Sequence, residues 1–437
     1  MKLDIGRLIP YTFLLITISS VNQWMKFPIG NTVIWWSIYA IIISLFIAAK
    51  KNYYDSSNEK SIRFLLAFLV WNIICIARGL WVAENYWEWK NLVGVGMVLL
   101  LPFSIYISAN PSLVQNIVSA WMKYALPAFF LMLPFFIAGD AIGRYLVPVS
   151  FMLLFFALLP LKWKIVMCVA TVFVIFSALN ARSNVIKFGI SGILGLVYYF
   201  HRYIPMVVWK SARILFFVVP ICFFSLAVSG SFNIFKISEY TGGEITARVS
   251  DQGAYVDENL AADTRTDIYQ EVIFSAINHH YVWFGRTPAR GNESKMFGDY
   301  ALDVLKTGKM ERYSNEVSIL NIFTWTGVVG VCLYFLLFFS ASYWAIYRSN
   351  SAIMKIVGLS VSFRWLYAWI EDFSEFDLSY LFLWVMIGMC FSKSFRAMDD
   401  LDFKYWIWGI FDRRYREIYA IQSPSIDTIP ENKLTIE

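Results

Sequence analysis

Apolar runs of about 15 to 20 residues recur along nearly the whole chain, and a run of that length is what a helix needs to span the hydrocarbon core of a bilayer. No soluble fold can hide them. Of the 437 residues 58% are hydrophobic and only 16% charged, where a soluble domain carries roughly 25% charge. The runs place helices near residues 8–22, 32–49, 62–77, 91–108, 118–138, 145–161, 165–180, 185–200 and 213–230, then 316–346, 352–370 and 377–392. The expected fold is all-α: a polytopic helical membrane protein with about twelve transmembrane helices and one large loop. Residues 1–230 hold the first nine helices, 231–314 the loop, 315–392 the last three, and 393–437 a basic segment with a disordered tail. The first run follows a short basic stretch, as in a signal peptide. A second run follows at once and no small-residue cleavage site stands out, so the first is read as a transmembrane helix.

Lysine and arginine test this count, because they accumulate in the cytoplasmic turns of membrane proteins. Lys2 and Arg7, Lys50 and Lys51, Lys60 and Arg63, Lys162 and Lys164, Arg202 and Lys210, Arg348 and Lys355, and the basic end Arg413, Arg414 and Arg416 all fall on one side of a twelve-helix arrangement. Both termini are then cytoplasmic. The turn 180–184, the loop 231–314 and the acidic turn with Glu371, Asp372, Glu375 and Asp377 share the opposite face. Orientation accounts for most of the net charge of +6, so nucleic acid is not an expected partner. Five cysteines lie far apart inside apolar runs, with no disulfide framework or metal-ligand spacing.

The loop is a composition shift, with glycines and acidic residues in place of the aliphatic runs. Within it Ile268, Val272, Ile273, Ala276 and Ile277 recur at helical period and predict an amphipathic helix. Thr264 and Asp267 are spaced as a capping box that would start it.

Arginines at the outer boundary are the most informative residues, since a guanidinium near lipid is costly unless something pairs with it. Arg182 sits in the turn between two runs, either snorkelling to headgroups or binding a ligand. Arg265 lies at the start of the loop helix, where its charge adds to the positive helix end and favours an anion; a pair with Asp263 or Asp267 is the structural alternative. Arg286, Arg290 and Arg312 add charge to the same loop, and Arg364 lies inside the eleventh run with Glu371 or Asp372 as its nearest partners. Such a cluster suits a phosphate or diphosphate, whose oxygens a guanidinium binds in pairs. Attack by a hydroxyl on an activated carbon also needs a base. Glu316, just after Ser314 and Asn315 and with Ser314 as helix cap, is the first candidate, and simple stabilisation by the helix dipole is its bland reading. His279 and His280 are weaker candidates. Aromatic residues at helix ends read first as an interfacial belt.

No phosphate-binding glycine loop, dinucleotide fingerprint, metalloprotease motif or nucleophile elbow occurs. Three segments do resemble the O-antigen ligase and O-antigen polymerase family of bacterial envelope proteins. They are the Arg182-Ser183 turn, the stretch from Thr264-Arg265 to Trp283-Phe284-Gly285, and the stretch from Ser314-Asn315-Glu316 to Gly327-Val328-Val329-Gly330. The resemblance implies a GT-C-like helical membrane glycosyltransferase, metal-independent and inverting, with no cofactor. Its substrate would be an undecaprenyl-diphosphate-linked oligosaccharide, at the periplasmic face of the bacterial inner membrane. Arg182, Arg265 and Glu316 would then be catalytic, with Arg286, Arg290, Arg312, Ser314, Asn315 and Arg364 binding substrate. The family's ligases carry a histidine where this chain has Ser314, which favours polymerisation of repeat units over transfer to lipid A core. A flippase and a chain-length regulator would be its partners. Transport of a lipid-linked sugar is the non-enzymatic reading, though charges gathered at one face beside one asymmetric loop fit it less well.

Overall fold

A computed structural model of the chain describes residues 5–54, 59–177, 182–236, 246–251, 254–259, 265–304 and 306–416. All twelve apolar runs are helical over most of their length, as expected where every backbone amide needs a partner that lipid cannot supply. Eight helices among the described residues are long and apolar enough to cross a membrane: Ile5–Trp24, Thr32–Tyr53, Ile62–Val82, Tyr86–Ser108, Pro111–Phe135, Ser183–Tyr203, Met206–Val228 and Ser318–Tyr347. The protein is thus an α-helical, multi-pass membrane protein. Leu161–Ser177, Ala352–Tyr367 and Leu378–Phe391 are shorter helices of 17, 16 and 14 residues. The run expected at 145–161 forms the short helix Val147–Leu153 and a 3-10 turn over Phe156–Leu158, preceded by another short helix, Asp140–Tyr145; Pro148, at the start of Val147–Leu153, cannot donate the amide that would continue the earlier helix.

Leu378–Phe391 is the centre of the bundle, with all of its 14 residues buried. Around it Tyr334, Phe338, Trp365 and Trp384 pack with ring centroids 4.7–6.4 Å apart. Since lipid tails are as apolar as leucine, shape complementarity between helices supplies much of the cohesion. At Gly388 a Cβ would come within 2.6 Å of the Ser108 Cβ, so only glycine lets those two helices meet.

Ser318–Tyr347 is broken at Gly327, whose φ of 69° and ψ of −173° are not helical. The break is filled by the aromatic-glycine segment of the loop. Val328 N donates to Val282 O at 2.9 Å, Val329 N to Trp283 O at 3.2 Å and Arg286 N to Thr324 O at 2.7 Å, while the Thr326 carbonyl accepts from Trp71 Nε1 at 2.9 Å. Gly285 also has positive φ, 69°, and a Cβ on either glycine would overlap the backbone of the other's segment. The two glycine-bearing stretches noted in the sequence are therefore one contact.

Elsewhere in the loop, Thr266–Asn278 is the expected amphipathic helix, burying Ile268, Val272 and Ala276. Ile277, expected on the same face, is exposed. The start differs from the expected capping box: Arg265 is the N-cap, with no side-chain cap bond, and Thr264 lies outside the described residues. A second helix spans Lys295–Asp303, and two short antiparallel ladders pair Thr246–Asp251 with Ala254–Asn259 and Asn292–Glu293 with Glu311–Arg312.

The segment after 392 is not merely basic. Asp399 caps a helix over Asp400–Phe411 in a reciprocal capping box with Asp402, and Phe403, Trp406, Ile407 and Ile410 are buried. Trp406 Nε1 donates to the Pro111 carbonyl at 2.9 Å, tying it to the bundle. Residues 417–437, which include the tail expected to be disordered from Gln422 onward, lie outside the described residues.

Candidate functional site

Arg265, at the head of the loop helix, reaches across to the turn after Ala352–Tyr367. Its Nε donates to the Ile370 carbonyl at 3.2 Å, one terminal nitrogen lies 3.4 Å from Glu371, and the other is bonded to Glu316. Glu316 also meets Arg312 at 3.1 Å. The carboxylate thus bridges two arginines that the chain separates by 47 residues. Of the two expected partners, Asp263 lies outside the described residues, and Asp267 is exposed in the first helical turn and is not among the partners found. The site is graded in exposure. The Arg265 side chain is 17% accessible and Glu316 54%. Burial pushes the Glu371 carboxyl above its ordinary value, with Arg265 partly offsetting it.

Glu316 and Ser314 precede the helix instead of starting it. Val317 is the N-cap of Ser318–Tyr347 and makes no side-chain cap bond, so the expected Ser314 cap is not formed. The Ser318 amide is satisfied by the Glu371 carbonyl at 3.2 Å and its hydroxyl donates to Asp372 at 3.0 Å. Asn315 is buried: its amide donates to Asn321 Oδ1 at 2.6 Å and its Nδ2 to Asn292 Oδ1 at 3.0 Å, a structural knot beneath Ser314 and Glu316.

Arg286 and Arg290 belong to a separate ion cluster. Both pair with the buried Glu311, Arg286 at 3.0 Å, and Lys309 reaches Glu84 at 2.8 Å and the fully buried Glu88 at 2.5 Å. This cluster fastens the loop to the start of the Tyr86–Leu100 helix. A buried charge that is fully paired in this way reads as a clamp.

Arg364 is buried within its helix, and neither Glu371 nor Asp372 is its partner. It donates to the Ser379 carbonyl and hydroxyl, both at 2.9 Å, and lies 4.2 Å from the centre of the Phe373 ring. The helix turns its side chain toward Leu378–Phe391, away from the acidic turn. Arg182 begins the helix Arg182–Val197, but its side chain lies outside the described residues. Its neighbours do reach the same face: Ser183 accepts from Tyr367 Oη at 3.1 Å and Asn184 donates to Asp140 at 2.7 Å. His279 contacts Glu293 at 3.1 Å, away from Arg265's partners.

Beside Ser314 opens a cavity of about 630 Å³, walled by Trp35, Trp36, Tyr39, Trp87, Lys90, Asn91, Tyr313, Trp325, Glu375 and Asp377. Two buried polar atoms on its wall, Tyr313 Oη and Trp325 Nε1, have no hydrogen-bond partner among the described residues. Burial drives the Tyr313 hydroxyl up to about 12. Asp377 is pushed up to about 6 by burial first and by the Glu375 charge second, with Arg144 pulling it down. Arg144 holds this acidic rim, 2.9 Å from Glu375 and 2.7 Å from Asp140. The sequence reading missed Arg144, which falls in the short turn between the runs at 118–138 and 145–161, 231 residues before Glu375; its one local signal is Asp140 four residues earlier. Among the described residues no group of three or more His, Cys, Asp or Glu is placed to hold a metal ion.

No protein-family model, curated protein or solved structure matches this chain.

Proposed function

We propose that this protein is a membrane glycosyltransferase that polymerises lipid-linked oligosaccharide repeat units, the growing chain passing from an undecaprenyl diphosphate carrier to a new unit. The supporting observation is the half-exposed Glu316 held between Arg265 and Arg312, next to Ser314 at the mouth of the tryptophan-lined cavity. In this reading the donor diphosphate displaces Glu316 from the two guanidiniums, which bind its oxygens and take up the charge that develops on the leaving group. The displaced carboxylate becomes the base. A hydroxyl of the acceptor sugar, seated in the cavity against the indole faces, attacks the anomeric carbon from the side opposite the diphosphate. The new carbon–oxygen bond forms as the bond to the diphosphate breaks, the electron pair goes to the phosphate oxygen and the proton to Glu316. The configuration inverts.

The same proposal sets twelve membrane crossings with both termini cytoplasmic, and the loop at the periplasmic face of a bacterial inner membrane. A flippase would deliver the units and a chain-length regulator would act beside the enzyme. The deciding experiment replaces Arg265 with Ala in cells that make the polysaccharide. Single-unit glycan in place of long chains, with the protein still in the membrane, is the expected result. Normal chain lengths would refute the anion site, and complete loss of attached glycan would point to ligation instead.

A further inference from the structure

At the opposite end of the first helix lies a second cavity, of about 760 Å³, whose walls include Arg7, Lys123 and Arg416 and, among the described residues, no acidic side chain. Ser19 and Ser20 of that helix line the cavity beside Ser314, and Arg7, Pro10 and Tyr11 line this one, so at the closest roughly 12 Å of helix separates them.

Lys123 is the telling residue. It lies within the Pro111–Phe135 span, roughly 18 Å along the helix from Pro111, and its side chain is exposed. A lysine at that depth on an open face is costly unless it snorkels to an anion. Among the described residues it meets the ring of Tyr124 at 5.1 Å and no carboxylate. The helix has a π turn over Trp121–Ala125, at the lysine itself, a local distortion that often marks a functional position. Arg416 is fixed in the same cavity, its Nε bonded to the Gly409 carbonyl at 2.5 Å and a terminal nitrogen to Asn116, seven residues before Lys123 on the same span, at 2.7 Å. Around the cavity the helices turn apolar side chains outward. Leu15 is 40% exposed and Phe130 69%, one turn beyond Tyr11 and two turns beyond Lys123 respectively, on the same helix faces.

We infer that this cavity binds the phosphate headgroup of an anionic phospholipid, with Lys123 and Arg416 on the phosphate and the acyl chains running along Leu15 and Phe130. Basic pockets between membrane helices recognise such headgroups by charge and depth together. A free phosphate has the charge but not the chains, so it would gain nothing from the apolar faces.

The test uses the full-length protein in a neutral detergent, with dioleoyl phosphatidylglycerol and dioleoyl phosphatidylcholine as probes and native mass spectrometry as the readout. The wild type is expected to retain phosphatidylglycerol at least tenfold more tightly than phosphatidylcholine. Lys123→Gln, an exposed change that leaves the fold intact, is expected to remove most of that preference, and Arg416→Gln to weaken it further. Arg414→Gln, at an exposed arginine paired with Asp412, is the control and should leave it unchanged. Equal retention of the two lipids, or undiminished preference in Lys123→Gln, would overturn the inference. So would displacement of the lipid by millimolar inorganic phosphate.

Discussion

Replacing Glu316 with Gln separates two roles that the proposed mechanism gives to one carboxylate. Glu316 closes Arg265 and Arg312, so on the proposed reading a donor diphosphate must first displace it. Because Glu316 is 54% exposed, each of its two ion pairs is solvent-screened and worth about 0.5 kcal/mol. Gln would remove about 1 kcal/mol of competition, which is about fivefold in donor affinity. If Glu316 is also the base, kcat should fall by roughly 10²–10⁴. With chemistry that slow KM approaches the dissociation constant, so the tighter binding becomes visible as a lower donor KM. The assay is chain extension by purified protein on a synthetic diphosphate-lipid repeat unit, resolved as a ladder on a gel. A fall in kcat of less than about tenfold would remove Glu316 as the base, and a rise in KM would mean that the carboxylate helps to hold the donor.

Arg265→Lys keeps the charge and loses the paired geometry, so kcat should drop by roughly 10²-fold, measured in the same assay against Arg312→Lys. Arg364→Met should leave donor KM unchanged and lower thermal stability in detergent by about 1–3 kcal/mol, because its bonds to Ser379 are internal. Glu88→Gln should loosen the Lys309 clamp and speed proteolysis of the loop between Glu293 and Lys309, followed by limited trypsin digestion. Asp377 supplies a pH test. Its folded-state carboxyl, at about 6 against an ordinary 3.8, holds its proton more tightly than the unfolded chain does. Its contribution is therefore complete below 3.8 and lost as pH rises through about 6, of order 2–3 kcal/mol. Asp377→Asn keeps the cap to Tyr380 and should remove that slope from a melting series between pH 4 and 7.

The helices were legible because an apolar run in lipid has few alternatives. Where proline or glycine intervened, as at Pro148 and Gly327, the run remained helical but broke, and hydropathy carries no sign of that. The Asp400–Phe411 helix was hidden by its basic surroundings, although Asp399 and Asp402, followed by Phe403, Trp406, Ile407 and Ile410, do spell a cap and an apolar face. The arginines were visible as a set. Their division into Arg265 and Arg312 on an exposed carboxylate, Arg286 and Arg290 on a buried one and an internal anchor at Arg364 depends on carboxylates and carbonyls brought together by the fold. Charge patterning along one chain does not record those. Arg144 was missed for the same reason.

The junction of Gly285 with Gly327 bears on the order in which the molecule is built. A helix that breaks within a bundle leaves amides and carbonyls that lipid cannot satisfy, and here residues 281–286 satisfy them. The last long span thus reaches its final form only when the preceding loop is folded against it. Folding of the loop and closure of the bundle become one cooperative step, and a chain whose loop is misfolded would present an unfinished helix to the membrane's quality control.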